Sequence, residues 1–324
     1  MTSTPPKQGV LVDGSTIATL VDEEFPPIVH CFGYGSGVFT QQQAGTTASS
    51  LNDAGNNMMI DLILVVEDAL SFHRQNLKRN SHHYAAWNRS ASFCSWLQTN
   101  FPAKVFFHPN VDVRGTNIKY GVVTKRHLLA DLREWNYLYL AGRLHKPTLP
   151  IGLQDQDILA SQATENLPGA LAVSLLLLSQ EATTTPQEVD MLSVYEQIAR
   201  LSYDGDPRVG LGGEDPQKVH KLVHAPGQAE RFFQLYKDSL QDLSSSGVIS
   251  YDELKIQWNP EESVAALRAN LPRRLQTQPN LHVELRETVR RAARPQMLKG
   301  LVTAGVSRSA RYVLSKLSKG ILAR

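Results

Sequence analysis

Two apolar runs near the start of the chain predict neighbouring β-strands. The first covers residues 28–32, follows Pro26 and Pro27, and ends in the glycine-rich turn FGYGSGVF. The second, MMIDLILVV at residues 58–66, is almost continuously apolar and holds one carboxylate, Asp61, as expected for a central strand buried on both faces. The polar residues 40–57 between the two runs predict a loop at the edge of a site.

Helix and hairpin patterns follow these strands. Apolar residues at helical spacing predict a helix over residues 70–96, and residues 104–107 and 118–123 read as two hairpin strands around the turn RGTN. An apolar stripe over residues 128–139 predicts another helix, and from Asp155 onward the pattern is mainly helical. The fold class is therefore predicted as α+β, with a strand-containing domain at residues 1–150 and a mostly helical domain at residues 151–285.

The remaining residues, 286–324, are predicted to form a basic tail. Nine of the 33 Lys and Arg residues lie between Thr288 and Arg324, where no Asp or Glu occurs, which leaves 24 basic against 31 acidic residues in the rest of the chain. Wound as a helix, residues 302–321 place their apolar side chains within an arc of about 120° and their basic side chains outside it. This pattern predicts a C-terminal basic amphipathic helix that associates with an anionic membrane surface, and a helix packed on the acidic body is the alternative.

Composition excludes several other function classes. The formal net charge of +2 is too small to predict nucleic-acid binding by the chain as a whole, and two cysteines cannot form a disulfide framework. The longest apolar run, near residues 167–178, is shorter than the ~20 residues that span a bilayer. The first ten residues match neither a secretory signal nor an arginine-rich presequence, so composition alone gives no compartment beyond a reducing one.

The glycine turn and Asp61 form the first candidate site. Backbone N–H groups at Gly35, with the Ser36 hydroxyl, can hold the outer phosphates of a nucleotide, and a carboxylate on the adjacent strand can hold Mg²⁺. This layout is that of polymerase-β-like nucleotidyltransferases, although so short a glycine motif on its own is more often an ordinary tight turn. That superfamily has a second carboxylate where this chain has Ile63, so Asp68, or Glu67 beside it, is the candidate for the missing ligand.

Two further groups of polar residues are candidates for contacts with a nucleotide. On the helix predicted over residues 70–96, steps of three and four residues bring five side chains near one face, with Asp68 and Lys78 close by: His73, Asn76, Asn80, His83 and Tyr84. The second group, Lys119 and Tyr120 with Arg143 and Lys146, has cations that can neutralise phosphate charge. Solvated surface residues explain the spacing of the helical group equally well, and they are the favoured explanation of the second group from spacing alone.

Six ordered blocks carry a family resemblance. FGYGSGVF, MIDLILVVEDALSFHRQNLKRNSHHYA, IKYGVV, DLREWNYLYLAGRLHKP, LSYDGD and TAGVSRSARYVLSKL resemble the mitochondrial phosphatidate cytidylyltransferase family, also called the translocator assembly and maintenance protein family. The resemblance runs from about residue 28 to the C-terminus. Several blocks in order and at compatible spacing are far more specific than one glycine turn.

The resemblance implies a polymerase-β-like nucleotidyltransferase domain followed by a helical, winged-helix-like domain. It implies transfer of CMP from CTP to phosphatidate with Mg²⁺ as cofactor, giving CDP-diacylglycerol and pyrophosphate for cardiolipin and phosphatidylglycerol synthesis. It also implies a peripheral protein on the matrix side of the mitochondrial inner membrane, and the small net charge already predicts no nucleic-acid partner. The implied metal ligands are Asp61 and Asp68, which are also catalytic with Lys78, and the implied CTP contacts are Tyr34, Gly35, Ser36, Gly37, Asn76, His83, Tyr84, Lys119 and Arg143.

Two alternative functions stay open. One is a nucleotidyltransferase with another acceptor, such as a protein side chain or an RNA end. The other is a non-catalytic membrane-surface adaptor that supports mitochondrial protein import, which Ile63 favours slightly and which Gly35, Ser36 and Asp61 oppose. No sequence pattern identifies the residues that recognise cytosine, the acyl-chain preference or the oligomeric state.

Overall fold

The computed structural model describes residues 14–35, 38, 59–179, 186–210 and 217–304. Its strands are β1 (His30–Tyr34), β2 (Ile60–Val66), β3 (Phe106–Val113), β4 (Thr116–Thr124), β5 (Leu149–Pro150), β6 (Gln187–Asp190), β7 (Ser250–Tyr251) and β8 (Lys255–Trp258). Its helices are α1 (Gly14–Glu24), α2 (Ala69–Arg79), α3 (Ala91–Asn100), α4 (Lys125–Glu134), α5 (Ala141–Leu144), α6 (Gln156–Ser161), α7 (Leu167–Ser179), α8 (Met191–Arg200), α9 (Pro207–Gly210), α10 (Lys218–His224), α11 (Gln228–Ser245), α12 (Pro260–Ala269), α13 (Arg273–Gln276) and α14 (Leu281–Ala304). A 3₁₀ turn at Ser81–His83 precedes α3, and a π-helical turn at Gln162–Asn166 joins α6 to α7. The predicted α+β class is confirmed.

A five-stranded sheet in the order β3-β4-β2-β1-β5 forms the first half of the described chain. Its central strand β2 runs parallel to β4 and antiparallel to β1. Leu62, Ile63 and Leu64 of β2 are completely buried, because both faces of the sheet are covered. Strands β3 and β4 form the predicted hairpin, and Gly115 in its turn has a positive φ of 84°.

Successive side chains along these strands point to opposite faces of the sheet. The back face carries Leu62 and Leu64 and is covered by α1 and α2. The front face carries Ile63 and Val65 and shares one core with the helical half of the chain. Any residue of the three central strands therefore belongs either to the α1 and α2 side or to the side that meets the helical half.

The helix predicted over residues 70–96 is in fact two helices, α2 and α3. α2 stops at Asn80, whose side-chain amide donates to Asn76 Oδ1 and to the Glu24 carbonyl, each at 2.9 Å. Ser90 then begins α3 by accepting a hydrogen bond from the Phe93 N–H at 3.4 Å. Apolar periodicity indicated helix on both sides, but these polar caps decide where each helix ends.

The second half of the described chain is mainly helical, as predicted. Helix α7 is apolar on all sides, and α8, α11, α12 and α14 pack around it. A three-stranded antiparallel sheet in the order β6-β8-β7 lies in the same half. Across the described ranges, no helix is both long enough and apolar enough to cross a bilayer.

Helix α14 covers the first part of the predicted basic tail. It packs against β3 and α7, and Leu285, Val289 and Ala292 are buried in that contact region. The chain up to Ala304 is therefore a helix on the body of the protein. Most of the predicted amphipathic helix, which covers residues 302–321, lies outside the described residues.

Candidate active site

The three central strands place Tyr34, Asp61 and Lys119 in one row across the sheet. Asp61 pairs in register with Tyr34 of β1 and with Lys119 of β4, so the three side chains share the front face. The Lys119 Nζ lies 2.6 Å from Asp61 Oδ1, and each side chain is about one-fifth exposed. An ion pair that solvent can reach thus lies at one end of an otherwise apolar strand.

Gly35, the first residue of the glycine turn after β1, lies directly beside Asp61. Gly35 has a φ of 83°, which side chains other than glycine rarely adopt, and a Cβ added there would lie 3.6 Å from Asp61 Oδ2. Glycine at this position therefore leaves room for a ligand atom next to the carboxylate. Ser36 and Gly37, the other residues of the predicted phosphate turn, lie outside the described residues.

Arg143 on α5 completes a pocket of aromatic rings and cations above this row. Its guanidinium lies 4.6 Å from the centre of the Tyr34 ring, 4.9 Å from that of Tyr139 and 5.9 Å from that of Phe107. The Lys119 Nζ lies 5.7 Å from the Tyr34 ring and 5.4 Å from the Phe107 ring. Two of the predicted CTP-binding cations thus lie over the same two rings.

Two polar atoms of this pocket lack a hydrogen-bond partner within the described ranges. They are the Tyr34 hydroxyl and Arg143 Nε, and both are shielded from solvent. Burial raises the pKa of Tyr34, so its hydroxyl stays protonated and able to donate. Since a buried donor without an acceptor costs about 1–3 kcal/mol, the pocket favours an anionic ligand that accepts from both atoms.

More basic residues extend the pocket toward the helical half. The Lys146 Nζ and the Lys218 Nζ lie 5.1 Å and 5.2 Å from the centre of the Tyr203 ring. Arg208 on α9 pairs with Asp206, with its Nε 3.0 Å from Oδ1. We refer to five basic residues together as the cationic cluster: Lys119, Arg143, Lys146, Arg208 and Lys218.

Lys146 lies where the segment after α5 meets the segment that contains Ser202. Its Nζ donates to the Ser202 hydroxyl at 2.6 Å, and a Cβ added to the neighbouring Gly142 would lie 2.5 Å from the Ser202 Cβ, so the two segments touch. Burial and the charges of Arg143 and Lys218 hold the pKa of Lys146 well below its ordinary value. An anion bound among these cations would relieve that repulsion.

The structure does not bring Asp61 and Asp68 together. Val66, at the far end of β2, is already roughly 17 Å along the strand from Asp61, whereas ligands of one Mg²⁺ lie about 3 Å apart. Asp68 instead caps α2, accepting from the Ser71 N–H at 2.7 Å. In this arrangement the two carboxylates cannot hold the same ion, and Asp68 is remote from the pocket. Lys78, the other predicted catalytic residue, is exposed on α2 at the back face.

Asn76, His83 and Tyr84, predicted to contact CTP, lie at the back face in a buried polar network. Asn76 Nδ2 donates to the Tyr84 hydroxyl at 3.1 Å and to the Tyr120 hydroxyl at 3.0 Å. His83 Nδ1 lies 2.9 Å from the Tyr120 hydroxyl, and His73 Nδ1 lies 2.9 Å from that of Tyr84. Burial lowers the pKa of His73 to about 4, so the ring is neutral at physiological pH. The helical steps correctly group these residues, but they face each other in the interior rather than the pocket.

Comparison with known proteins gives the family. A family model described as mitochondrial phosphatidate cytidylyltransferase matches residues 17–282 and 251–319, a range that includes the whole pocket. The chain belongs to the mitochondrial phosphatidate cytidylyltransferase family. Curated proteins of that name from Schizosaccharomyces pombe, Xenopus laevis and Drosophila melanogaster are 33%, 34% and 40% identical to it. The alignments cover 92%, 89% and 67% of this chain and 81%, 89% and 62% of the respective proteins. The resemblance found in the sequence is confirmed.

Several pocket residues of this family member were missed by sequence reasoning. They are Phe107, Tyr139, Tyr203, Arg208 and Lys218. Tyr139 and Tyr203 lie inside blocks that carry the family resemblance, so their positions were available but gave no sign of a role. The pocket joins the end of one strand to turns far along the chain, and no local spacing reports such a contact.

We expect Asn76→Ala to lower the free energy of unfolding by about 2–3 kcal/mol, because two buried tyrosine hydroxyls and the Asn80 amide lose a partner. Denaturant titration measures this, and Asn136→Ala, at an exposed asparagine on the surface, is the matched control. The KM for CTP of the folded variant should stay within about twofold of the wild-type value. A large rise in that KM with unchanged stability would instead place Asn76 in contact with the nucleotide.

Proposed function

We propose that this chain is a phosphatidate cytidylyltransferase that transfers CMP from CTP to phosphatidate and releases pyrophosphate. The product, CDP-diacylglycerol, would serve cardiolipin and phosphatidylglycerol synthesis. One observation supports placing the reaction at the front-face pocket: beside Asp61 and Gly35, the Tyr34 hydroxyl and Arg143 Nε are buried with no acceptor among the described side chains and backbone. Both substrates carry phosphate oxygens, which are the acceptors that such donors bind.

The carboxylate oxygens of Asp61 are suitable ligands for Mg²⁺. In nucleotide sites this ion is commonly bound by one or two carboxylates together with substrate phosphates. Asp61 offers Oδ2 on the side of Gly35, while its Oδ1 is paired with Lys119. Once bound, Mg²⁺ would offset negative charge on the group being transferred. Because the triphosphate would supply further oxygens, a second carboxylate at position 63 is not required.

The residues of the chain would bind and orient two anions. Lys119 and Arg143 would hold the triphosphate of CTP and stabilise the charge that develops on the leaving pyrophosphate, with the Tyr34 hydroxyl as a further donor. Lys146, further from Asp61, suits the second anion, the phosphate of phosphatidate. A phosphatidate oxygen would attack the α-phosphorus of CTP in line. Because that oxygen is already ionised near neutral pH, positioning matters more than a strong base.

The fold supports a finer domain assignment. We infer a polymerase-β-like nucleotidyltransferase domain up to about residue 150, supported by a glycine turn after β1 and a carboxylate on the adjacent β2. We infer a winged-helix-like domain in the helical half, supported by its three-stranded antiparallel sheet among several helices. In this assignment the cationic cluster lies where the two domains meet.

The proposed location is the matrix side of the mitochondrial inner membrane, with the protein bound at the surface. The basic amphipathic pattern of residues 302–321 supports attachment to anionic lipid. This pattern would bring a body that is acidic overall to the bilayer that holds its acceptor.

We expect deletion of residues 305–324 to weaken binding to phosphatidate-containing liposomes by about tenfold or more, because five basic and several apolar side chains are removed. Turnover with a detergent-dispersed acceptor should change much less. Co-sedimentation measures the binding, and a full-length chain with Arg308, Arg311, Lys316 and Lys319 replaced by Gln separates charge from apolar contact. Equal co-sedimentation of the full-length and truncated chains would contradict the prediction.

The test of the proposed function is pyrophosphate release on liposomes that contain phosphatidate, with and without Mg²⁺. CTP is compared with ATP, GTP and UTP. We expect release only when CTP, Mg²⁺ and phosphatidate are all present. CTP binding without release would favour a different acceptor, and no CTP binding would favour the adaptor alternative.

A further inference from the structure

Three aromatic side chains on and beside α3 are exposed and lie next to each other. Trp87 is 56% exposed, Phe93 38% and Trp96 50%. The Phe93 and Trp96 rings stack with centres 6.1 Å apart, and Trp87 meets Phe93 edge-on at 6.4 Å. We name Trp87, Phe93 and Trp96 the aromatic patch.

The aromatic patch is not the side of α3 that packs into the core. The opposite side of the helix already supplies Cys94, Leu97 and Gln98 to the interior. α3 is therefore packed on one side and carries large rings on the other. Neighbouring exposed rings of this size are uncommon on a surface that meets only water, and they mark surfaces for protein or membrane contact.

The charge around the aromatic patch favours an anionic partner. No Asp or Glu occurs between Ala69 and Val111, although the same stretch contains five Lys and Arg residues. Arg74, Lys78 and Arg89 are exposed, and none of them is paired with a carboxylate of the described chain. Their positive charge is thus available to a ligand outside the protein.

Helices α3 and α14 both contact strand β3. α3 leads directly into β3, and α14 packs along β3. Lys299 in the last turns of α14 is close enough to Lys104, between α3 and β3, for that charge to add to burial in lowering its pKa to about 7. The last described turns of α14 therefore lie beside the segment that joins α3 to β3.

We propose that the aromatic patch is a bilayer-docking surface for anionic lipid. Trp and Phe rings would enter the boundary between headgroups and acyl chains, and the surrounding basic side chains would bind anionic headgroups. The patch and the basic tail would then act together, since stable attachment to a bilayer commonly needs two signals. The inference rests on the proposed function only in taking the acceptor to be a membrane lipid.

The chain provides its own reporters for the test. It has four tryptophans, of which Trp87 and Trp96 are exposed in the aromatic patch, whereas Trp135 and Trp258 are buried. The full chain is mixed, without CTP, with vesicles of phosphatidylcholine and phosphatidate that carry bromine on the acyl chains. We expect a blue shift and quenching of the tryptophan emission. Unquenched emission from vesicle-bound protein would overturn the proposal, because attachment would then not involve the patch.

A variant series gives the second measurement. Trp87→Ser, Phe93→Ser and Trp96→Ser combined should weaken vesicle binding by about tenfold or more. The matched control replaces two exposed apolar residues elsewhere, Leu254→Ser and Val283→Ser, which are 73% and 58% exposed, and should bind as the wild type does. Vesicle binding by the patch variant equal to that of the wild type would overturn the proposal. Protection of the patch by a protein partner but not by vesicles would also overturn it.

The two proposals fail in different ways. The patch variant should retain pyrophosphate release with detergent-dispersed phosphatidate, because none of its residues lies at the pocket. Quenching of a wild-type chain that releases no pyrophosphate would leave the docking surface intact and refute the proposed function. Release without quenching or loss of binding would refute the docking surface alone.

Discussion

Asp61→Asn is expected to lower the turnover of CTP with phosphatidate by about a thousandfold while the fold stays intact. The amide has the shape of the carboxylate but no charge, so it cannot offset Lys119 at 2.6 Å or act as a strong Mg²⁺ ligand. Because Asp61 is partly exposed at the end of β2 rather than in the core, the loss should appear in kcat and leave the free energy of unfolding nearly unchanged.

The matched control is Asp68→Asn. The sequence pairs this residue with Asp61, but the structure places it at the far end of β2, where it caps α2. An asparagine can still accept the hydrogen bond that caps α2, so we expect the free energy of unfolding to change by less than about 1 kcal/mol and kcat to change by less than about threefold. Pyrophosphate release and denaturant titration on both variants measure the two effects. Comparable loss of turnover in both variants would mean that Asp68 reaches the pocket in the active protein.

The part of the candidate site that sequence could predict is the part that lies on adjacent strands. Gly35 follows an apolar run, and Asp61 interrupts the next one, so strand pairing alone brings Gly35 next to the carboxylate. The same logic reaches Lys119, because β4 is the parallel neighbour of β2. One carboxylate among the apolar residues of a buried strand indicates a ligand site, because only at the end of β2 is a side chain open to a ligand.

The sequence alone does not show on which face of the sheet each side chain lies. Lys119 and Tyr120 are consecutive residues of β4, and for that reason their side chains point to opposite faces of the sheet. Lys119 enters the pocket, whereas Tyr120 enters the buried network with Asn76. A helical step pattern likewise reports that polar residues share a side but not whether that side meets a ligand or the interior.

The cationic cluster needed the tertiary structure. Arg143 lies on a four-residue helix and Lys218 begins another helix far along the chain, so neither belongs to a periodic pattern with Asp61. What joins them is the contact between Gly142 and Ser202, where a side chain larger than hydrogen would collide. Close packing of this kind depends on the whole fold, and in the sequence only the glycine indicates it.

Arg143→Met is expected to lower kcat/KM for CTP by about a hundredfold or more. Met keeps most of the apolar stem, but it removes the charge that lies 4.6 Å from the Tyr34 ring and the donors that face the proposed triphosphate. Arg143→Lys should recover only part of this, leaving about a tenfold defect, because an ammonium group restores charge but not the planar stacking on Tyr34 and Tyr139. Steady-state kinetics with both substrates measures the series, with Arg133→Met, at an exposed arginine paired to Glu165, as the control.

The kinetic pattern also assigns the anion that Arg143 binds. If it holds the triphosphate, the KM for CTP rises and the KM for phosphatidate stays near its wild-type value. If both KM values stay constant while kcat falls, Arg143 stabilises charge that appears only in the transition state. A donor that is unsatisfied in the free protein would contribute most at that stage. A rise confined to the KM for phosphatidate would contradict the assignment and move the triphosphate toward Lys146 and Lys218. The mutant series therefore tests the position of the nucleotide within the cationic cluster, independently of the loss of charge at Asp61.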